Sequence, residues 1–334
     1  MRLGNNVKYV YVLTSSGNDI YYEQFFLSLV SMRLYNPDAE VIALTDKRTK
    51  QGLNGKRSGY EKYVSEIKVI NSPDEFSQKE ASRWLKTSVH RYFTGEFLYI
   101  DCDTIITDKL DNELPPDIKI GAVLDNHVTL ENHHLKNFFQ KEDTHIGFSS
   151  SLKTNRRYNG GLIFCGSDSQ APDFFEKWHS LWTESRKSGC SQDMPALNQA
   201  NYEMGNIITE LDGEMNCQIS HNGLPFLHDA KIIHYYATSL NSVDPAFKLS
   251  SPRIFDSIKE TGEISPEIMK LLENPRSAFE PLSRIVSDNA VIEALDSSFF
   301  FKLIRFNKRH PWLSKRWNGF SSSLMQSVKR ILGK

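Results

Sequence analysis

Residues 95–107, GEFLYIDCDTIIT, contain an apolar strand that runs directly into two carboxylates. The strand is predicted at 97–100, and the carboxylates are Asp101 and Asp103. Side chains at positions i and i+2 leave a strand on the same side, so both carboxylates can reach one hard cation. Ionised groups at the end of a buried strand are costly unless positive charge compensates them. The stretch therefore predicts a divalent-cation site, while a pair of acids that ends a strand and caps a turn is the simpler interpretation of so short a motif.

Strand-like and helix-like runs alternate on both sides of this stretch. Strands are predicted at 7–13, 40–44, 67–70, 97–100, 120–124, 162–165 and 231–235. Helices are predicted from residue 22 to the Asn36-Pro37 stop, at 79–93, at 172–186 and from about Asp193. The order β-α-β-β-α-β up to the acidic pair predicts an α/β fold with a mainly parallel central sheet and flanking helices. In such sheets ligands gather at the carboxyl ends of the strands, which is where the acidic pair falls.

The composition of the 334-residue chain, with 39% apolar and 24% charged residues, is typical of soluble globular proteins. No apolar run reaches the length of a transmembrane helix, and the N-terminal residues resemble a first strand rather than a signal peptide. The four cysteines have no CxxC spacing, which favours reduced thiols. We therefore expect a cytoplasmic protein.

The C-terminal residues 299–334 differ from the rest of the chain in charge. They carry nine Lys or Arg residues and no Asp or Glu, which leaves 31 basic against 41 acidic residues elsewhere. Apolar residues are interleaved with these cations, as in segments that lie on an anionic membrane surface, but a helical cap that packs on the domain fits equally well. No nucleic-acid-binding module accompanies the cations, so nucleic acid is not expected as a partner. The predicted domains are a catalytic domain at 1–250 and a helical extension at 251–334 that ends in this basic tail.

Two sets of nitrogen-bearing side chains could act with the acidic pair. Arg83, Lys86 and His90 fall at i, i+3 and i+7 of the helix at 79–93 and predict an outward basic stripe. Beside a metal such a stripe suits an anionic diphosphate, although a solvated helix face is the commoner explanation of a charge pattern. His234 ends an apolar strand, where a histidine is most often structural, yet imidazole also completes an Asp/Asp site for manganese.

Two further stretches place polar groups beside a strand and a helix. YNGG at 158–161 precedes an apolar run; its glycines allow close backbone approach and its Asn amide can donate and accept, but a tight turn explains the stretch equally well. SQDMP at 191–195 opens a helix, with Ser191 or Asp193 available as the cap. Capping leaves Gln192 free for another role.

Taken in this order, the motifs resemble those of the GT-A glycosyltransferases, especially the retaining family 8 type that includes glycogenin and bacterial lipopolysaccharide glycosyltransferases. The resemblance spans about residues 7–240 and is carried by VYVLTSS, the LTD strand end, SRWLK, FLYIDCDTII, YNGGL, SQDMPALN and His234. Two departures indicate a divergent member. Ser191 stands where the family commonly has an acidic residue, and the family's HxxGxxKPW ending is missing after His234.

The resemblance implies a Rossmann-like GT-A fold with a metal site, a donor site and catalytic residues. The implied ligands of a Mn²⁺ or Mg²⁺ ion that bridges the donor's two phosphates are Asp101, Asp103 and His234. The implied donor-binding residues are Thr14, Asp46, Arg83, Lys86, Asp101, Asn159, Gly160 and Gln192. The implied catalytic residues are Asn159, Gln192 and Asp193, with Gln192 beside the anomeric carbon.

The same resemblance implies a metal-dependent hexosyltransferase that uses a nucleotide sugar, expected to be a UDP-sugar, with retention of configuration. The acceptor would be a glycan or lipid-linked molecule of bacterial lipopolysaccharide or capsule assembly. The polar, His-rich residues within 121–152 are predicted to form a lid or acceptor loop. Together with the basic tail, this predicts a cytoplasmic protein that is peripheral on the inner face of the cytoplasmic membrane.

Two other functions stay open at this point. DCDTI also resembles the DxDxT motif of haloacid-dehalogenase-type phosphatases, in which Asp101 would be the nucleophile and Asp103 the acid/base. That motif normally lies on a first strand, whereas a whole β-α-β-β-α unit precedes it here. The second alternative is a GT-A-like protein without turnover that acts as a membrane-associated binding partner.

Overall fold

The computed structural model describes residues 7–110, 118–236 and 247–280, together with Phe299, Lys302, Leu303, Phe306, Arg309 and His310. The chain divides into two compact units, Met1–Ser283 and Arg284–Lys334. Most of the predicted basic tail, and residues 237–246 after the predicted strand at 231–235, lie outside the described part of the chain. The fold described below is that of the first unit.

Ten strands in the described residues form two sheets. The strands are β1 Lys8–Leu13, β2 Glu40–Asp46, β3 Glu66–Ile70, β4 Phe97–Ile100, β5 Thr104–Ile106, β6 Ile120–Leu124, β7 Tyr158–Cys165, β8 Ile208–Glu210, β9 Cys217–Gln218 and β10 Ile232–His234. Seven of them form the large sheet in the order β3-β2-β1-β4-β7-β6-β8. β7 runs antiparallel to β4 and β6, whereas the other pairs of this sheet are parallel. The mainly parallel central sheet is therefore confirmed.

Helices flank this sheet. They are α1 Tyr21–Tyr35, α2 Lys47–Gly52, α3 Gln78–Thr87, α4 Lys136–His145, α5 Ser150–Lys153, α6 Gln170–Lys187, α7 Met194–Glu203, α8 Pro252–Thr261 and α9 Pro266–Leu272. Alternate residues of a strand face opposite sides, so Tyr11 of β1 belongs to the core that contains α1 and Val12 to the core that contains α3. Phe255 of α8 belongs to the first of these cores. The helices after residue 250 thus pack in the same unit as the sheet, and the domain division at 250 stays a prediction.

The YNGG stretch at 158–161 differs from the turn that the sequence suggested. It is the first half of β7, and Gly161 O accepts a hydrogen bond of 2.8 Å from the Asp101 N–H. A Cβ on Gly161 would lie 2.3 Å from Cε1 of His234, so the position requires glycine. Two glycines in a row are typical of a turn, but here Gly161 makes room for the His234 side chain of the other sheet, and Gly160 faces Asp193 and Lys86.

The helix predicted at 79–93 is shorter in the structure. α3 ends at Thr87, and a separate 3₁₀ turn follows at Val89–Tyr92. The hydroxyl of Ser88 donates to the Trp84 carbonyl oxygen at 2.7 Å. Serine hydroxyls compete for helix carbonyls in this way, which explains the early end of the helix.

The smaller sheet has the order β5-β10-β9, and the chain enters it through the acidic pair. β4 of the large sheet ends at Ile100 and β5 of the small sheet begins at Thr104, so Asp101 and Asp103 lie where the chain crosses between the sheets. β10 runs antiparallel to β5 and pairs His234 with Thr104. The strand register therefore brings His234 beside the acidic pair.

The residues within 121–152, predicted as a lid or acceptor loop, include the two helices α4 and α5. All four cysteines are free. In the part of the chain that the structure describes, no helix has the length and apolar character needed to cross a bilayer.

Candidate functional site

Asp101, Asp103 and His234 lie together at the crossing between the two sheets. Each offers one ligand atom, and these atoms all lie within 4.8 Å of one another. Nε2 of His234 is 3.2 Å from Oδ1 of Asp103. No other group of three or more His, Cys, Asp or Glu side chains in the described residues has this geometry. Two carboxylates and an imidazole suit Mn²⁺ or Mg²⁺, so the residues fit the ion that the sequence predicted.

Polar neighbours compensate both carboxylates of this cluster. Burial raises the pKa of the Asp103 carboxyl, but His234, a backbone hydrogen bond and the charge of Lys86 together outweigh burial and keep that pKa below its usual range. Asp101 accepts a hydrogen bond from the Tyr99 hydroxyl and lies 3.2 Å from Nζ of Lys86. The acidic pair is thus held on both sides before any ligand is considered.

Lys86 is the central cation of the site and is only 2% exposed. Its Nζ lies 3.2 Å from Oδ1 of Asp101 and 2.9 Å from Oδ2 of Asp193. The outward orientation predicted for Lys86 is wrong, because Asp193 comes from the start of α7 and pairs with it in the interior. His90 is also no part of a stripe at this site, since its Nε2 lies 2.9 Å from Oε1 of Glu176.

Asp193 is ion-paired on both carboxylate oxygens. Nε of Arg83 lies 3.0 Å from its Oδ1, opposite the contact with Lys86. Its side chain makes no capping hydrogen bond with α7, so the helix-cap role is wrong, and its backbone carbonyl accepts from Nε1 of Trp178 at 3.0 Å. Burial raises the pKa of the Asp193 carboxyl, but Arg83 and Lys86 outweigh burial and hold that pKa well below its usual range. Asp193 therefore orients the two cations as a permanent anion.

A cleft of about 650 Å³ opens beside the acidic pair. Its walls come from the carboxyl ends of β1 and β4, the first turns of α1 and α3, and Gln192 in the loop before α7. The lining residues are Val12, Leu13, Thr14, Asp19, Tyr21, Gln24, Gln78, Lys79, Ser82, Arg83, Tyr99, Asp101, Cys102, Asp103 and Gln192. This lining combines apolar, amide, cationic and carboxylate groups, as is typical of a site for a small ligand with both polar and apolar parts.

Four of the predicted donor-binding residues line this cleft, namely Thr14, Arg83, Asp101 and Gln192. Gln192 is exposed there. Thr14 is held by two reciprocal bonds with Gln78: its hydroxyl donates to the Gln78 carbonyl oxygen at 3.1 Å, and Nε2 of Gln78 donates to the Thr14 carbonyl oxygen at 2.9 Å. The end of β1 is therefore tied to the start of α3 at the cleft.

The other predicted donor-binding residues are not among the described lining residues. Asp46 caps α2, since its carboxylate accepts from the Thr49 N–H at 2.8 Å, and it is 3% exposed. Gly160 lies behind the ion pairs, where a Cβ would be 3.2 Å from Oδ2 of Asp193. The donor contacts of Asp46, Lys86 and Gly160 stay predictions.

Asn159 belongs to a buried set of polar side chains that reaches His234. Nδ2 of Asn216 donates to Oδ1 of Asn159 at 3.0 Å, and Oδ1 of Asn216 lies 2.9 Å from Nδ1 of His234. The ring of Tyr236 stacks on His234 with a centroid distance of 3.9 Å, and its hydroxyl accepts from Nδ2 of Asn159 at 2.7 Å. The sequence does not point to Asn216 or Tyr236, because a lone Asn or Tyr carries no signal of a distant partner.

Asp125 is a further buried acid of this region that could have been predicted from its position after an apolar strand. It follows the apolar strand β6 as Asp101 follows β4, and it is 7% exposed. Its Oδ1 accepts from Nδ2 of Asn159 at 3.3 Å, and its Oδ2 lies 3.3 Å from Nε2 of His133. Burial raises the pKa of the Asp125 carboxyl, but His133 and Arg157 outweigh burial and lower that pKa.

Three loops beside the metal ligands share strained backbone. Asn126, His127, Asn222 and Tyr236 have positive φ values and are four of the five such non-glycine residues in the described part of the chain. Gln218 connects these loops: its Oε1 accepts from the Asn126 N–H at 2.9 Å and from the Tyr236 hydroxyl at 2.7 Å, and its N–H donates to Nε2 of His127 at 3.0 Å. Strain of this kind is frequent at functional sites, where surrounding contacts hold it in place.

Comparison with known proteins connects this architecture with one class of fold. No protein-family model matches the chain, and no curated protein matches its sequence. Mouse xyloside xylosyltransferase 1 in its apo form aligns with a TM-score of 0.45 and 13% identity, over 68% of this chain and 96% of that one. The galactosyltransferase LgtC in complex with donor and acceptor sugar analogs aligns with a TM-score of 0.48 and 14% identity, over 79% of this chain and 99% of that one. An active-site Gln-to-Glu mutant of LgtC aligns with a TM-score of 0.50 and 14% identity, over 78% of this chain and 98% of that one.

The alignment with the LgtC mutant shows the fold. With 98% of that chain covered, this chain shares the fold of that protein, which is the GT-A fold. The resemblance to the GT-A fold that the sequence predicted is therefore confirmed for the fold.

Proposed function

We propose that this chain is a metal-dependent glycosyltransferase that moves a hexose from a nucleotide sugar, a UDP-sugar, to a glycan or lipid-linked acceptor with retention of configuration. The observation that carries the proposal is the cluster of Asp101, Asp103 and His234 at the rim of a 650 Å³ cleft in a GT-A fold. The acceptor class that we propose belongs to bacterial lipopolysaccharide or capsule assembly.

The proposed chemistry divides between an ion and the chain's own side chains. Asp101, Asp103 and His234 would hold Mn²⁺ or Mg²⁺, which supplies positive charge to the diphosphate of the donor. Arg83 lines the cleft and presents a guanidinium that can stabilise negative charge on the departing nucleoside diphosphate. Lys86 keeps Asp101 and Asp193 in place, and its contact with the donor stays a prediction.

The sugar end of the donor is proposed to lie near Gln192 and Asp193. Gln192 is exposed in the cleft beside the acidic pair and is the candidate for contact near the anomeric carbon. Asp193 is proposed to contribute to catalysis by orienting Arg83 and Lys86. Asn159 is proposed to contribute through its hydrogen bonds to Asp125 and Tyr236. Thr14 at the end of β1 is proposed to border the nucleotide.

The second compact unit supports a partner outside the cleft. Leu303 and Phe306 are helical residues that are 52% and 49% exposed, and Lys302 and Arg309 are helical residues of the same segment. Exposed apolar residues beside cations suit an anionic membrane surface. We therefore propose that the protein works at the inner face of the cytoplasmic membrane, where a lipid-linked acceptor is available.

A panel of nucleotide sugars tests the donor assignment. The full chain is mixed with each donor and Mn²⁺, and thermal shift and donor hydrolysis are measured for the wild type and for Asp103→Asn. One donor should stabilise the wild type and be hydrolysed, and both responses should be lost in Asp103→Asn. Asp173→Asn, an exposed acid in the first turn of α6, serves as the matched control and should behave as the wild type.

The outcomes separate this proposal from the two alternatives. A response that is equal in the wild type and Asp103→Asn contradicts the donor site. Donor binding without hydrolysis or transfer favours the non-catalytic binding protein. Phosphate release from p-nitrophenyl phosphate with Mg²⁺ would favour the phosphatase, which we do not expect because the acidic pair follows the fourth strand of the chain and lies beside His234.

A further inference from the structure

Asn216 connects the metal ligand His234 to the rest of the polar interior. Asn216 has no exposed surface and His234 is 1% exposed, so water does not compete for their contact. Oδ1 of Asn216 lies 2.9 Å from Nδ1 of His234. Which of these two atoms carries the hydrogen follows from the partners of the neighbouring amides.

The orientation of the Asn159 amide is fixed first. Its Oδ1 accepts from the Gly161 N–H at 2.8 Å, and only an oxygen can accept there. Its Nδ2 faces Oδ1 of Asp125 at 3.3 Å, where a buried carboxylate needs a donor. The partners of both amide atoms therefore agree on which is the oxygen and which is the nitrogen of Asn159.

The orientation of the Asn216 amide follows from that of Asn159. The atom of Asn216 that lies 3.0 Å from Oδ1 of Asn159 must be a donor, so it is Nδ2. Oδ1 of Asn216 then faces His234, and an amide oxygen only accepts hydrogen bonds. Nδ1 of His234 therefore carries a proton, and Nε2 is the nitrogen that faces Asp103.

The ring of His234 is also fixed by packing. It lies between Tyr236, which stacks on it with an interplanar angle of 20°, and Gly161, which leaves no space for a Cβ. The stacked ring and the glycine backbone determine the plane of the imidazole. Asn216 determines which nitrogen is available within that plane.

We propose that Asn216 is a positioning residue for metal binding: by accepting the Nδ1 hydrogen of His234 it keeps Nε2 as the ligand nitrogen and fixes the direction of its lone pair. This inference rests on the metal site of the proposed function. Partners that hold the second nitrogen of a ligating histidine typically contribute about 10- to 100-fold in metal affinity. Asn216 itself touches neither the ion nor the donor.

Direct metal binding tests the role without any enzymatic readout. Mn²⁺ is titrated by calorimetry into the full chain without donor, for the wild type, Asn216→Leu and Asn216→Asp. Asn216→Leu removes the acceptor and should bind Mn²⁺ about 10- to 100-fold more weakly. Asn216→Asp keeps an acceptor oxygen against Nδ1 but loses the Nδ2 donor to Oδ1 of Asn159, so its Mn²⁺ affinity should lie between those of the wild type and Asn216→Leu.

Asn201 provides the matched control. It is an Asn at 4% exposure whose Oδ1 accepts from the Ile208 N–H at 2.9 Å, outside the metal cluster. Asn201→Leu also removes a buried amide and should lower the unfolding temperature while leaving the Mn²⁺ affinity unchanged. A merely structural role of Asn216 would make the two Leu variants alike in both measurements.

Nitrogen-15 NMR of the histidine-labelled wild type supplies a second readout that needs no variant to fold, apart from His234→Gln to assign the signal. Nδ1 of His234 should be protonated both with and without Mg²⁺. An unprotonated Nδ1, an Asn216→Leu variant that binds Mn²⁺ as the wild type does, or an Asn216→Asp variant as weak as Asn216→Leu would overturn the inference. A wild type that binds no Mn²⁺ contradicts the proposed function itself, and this inference with it.

Discussion

Lys86 and Asp193 form an ion pair of 2.9 Å between two side chains that are almost completely buried. The pair joins α3 to the start of α7, and Lys86 also reaches Asp101 at the metal cluster. A buried cation with two carboxylate partners cannot be removed without leaving a charge uncompensated. The ion pair therefore contributes to stability and to the geometry of the site together.

Replacing Lys86 with Met leaves Asp101 without its cation and Asp193 with Arg83 alone. We expect the free energy of unfolding, measured by urea denaturation at pH 7, to fall by about 3 kcal/mol. Lys177→Met is the matched control, because Lys177 lies 2.9 Å from Glu203 but their side chains are 43% and 33% exposed. That control should cost less than about 1 kcal/mol, and equal losses in the two variants would contradict the buried pair.

Gly161 and Gly160 should respond differently to the same substitution. A Cβ on Gly161 would lie 2.3 Å from Cε1 of His234, whereas one on Gly160 meets its nearest neighbour at 3.2 Å. We expect Gly161→Ala to cost about 1–3 kcal/mol in unfolding free energy and to abolish measurable Mn²⁺ binding, because the imidazole must move. Gly160→Ala should keep Mn²⁺ binding in the same calorimetric assay. Retained binding in Gly161→Ala would show that His234 is not held against β7.

Glu23 should make the stability of the protein depend on pH. It lies in the first turn of α1 at 2% exposure, and its Oε2 has no hydrogen-bond partner among the described atoms. Burial raises the pKa of Glu23 to about 7, above the value of about 4.3 in an unfolded chain. The folded state then binds more protons between these values, so the free energy of unfolding falls as pH rises from about 4.3 to about 7.

Glu23→Gln removes the carboxyl and should abolish this part of the pH dependence. We expect a gain of about 2–3 kcal/mol in unfolding free energy at pH 8 and little change at pH 4, measured by urea denaturation across the range. Glu75→Gln, at an exposed position, is the control and should leave the profile unchanged. If the unfolding free energy of Glu23→Gln depended on pH as steeply as that of the wild type, Glu23 would not be the source of the pH dependence.

The exposed apolar residues of the second unit should bind anionic vesicles. We expect the full chain to sediment with vesicles of phosphatidylglycerol and phosphatidylcholine, and Leu303→Ser/Phe306→Ser to bind about tenfold more weakly. Leu34→Ser/Val69→Ser is the control, since those side chains are 41% and 42% exposed on the first unit. Equal binding by the two double variants, or by the wild type and a chain that ends at Ser298, would exclude a membrane role for the tail.

Periodicity predicts that Asp101 and Asp103 lie at an edge of the central sheet, whereas His234 enters the ligand set through the resemblance to the GT-A glycosyltransferases. Alternating strands and helices imply a mainly parallel sheet, and Asp101 and Asp103 follow a strand of that sheet directly. His234 ends an apolar run of its own, so a second strand end with a polar residue was available as a candidate. In the structure that run is β10 of the small sheet, and its antiparallel pairing with β5 brings His234 beside Asp103. The sequence does not reveal this second sheet.

Contacts between distant residues explain what the sequence does not predict. The pattern of α3 placed Lys86 on an outward face, but Asp193 from a later helix makes that face interior. Gly160 and Gly161 indicated a turn, because the sequence does not reveal that the imidazole of His234 needs the space at Gly161. Asn216 had no signal at all, since its role depends on two side chains from other strands.

The crossing of the chain between its two sheets has a consequence for the order of folding. Asp101 follows a strand of the large sheet, while His234 ends a strand of the small one. A folding intermediate with only the large sheet in place would present the aspartate without the imidazole. The ion then binds a late species, so Mn²⁺ should slow unfolding without accelerating the early steps of folding. On the proposed metal site, the effect of Mn²⁺ on the unfolding rate therefore reports on the joining of the two sheets.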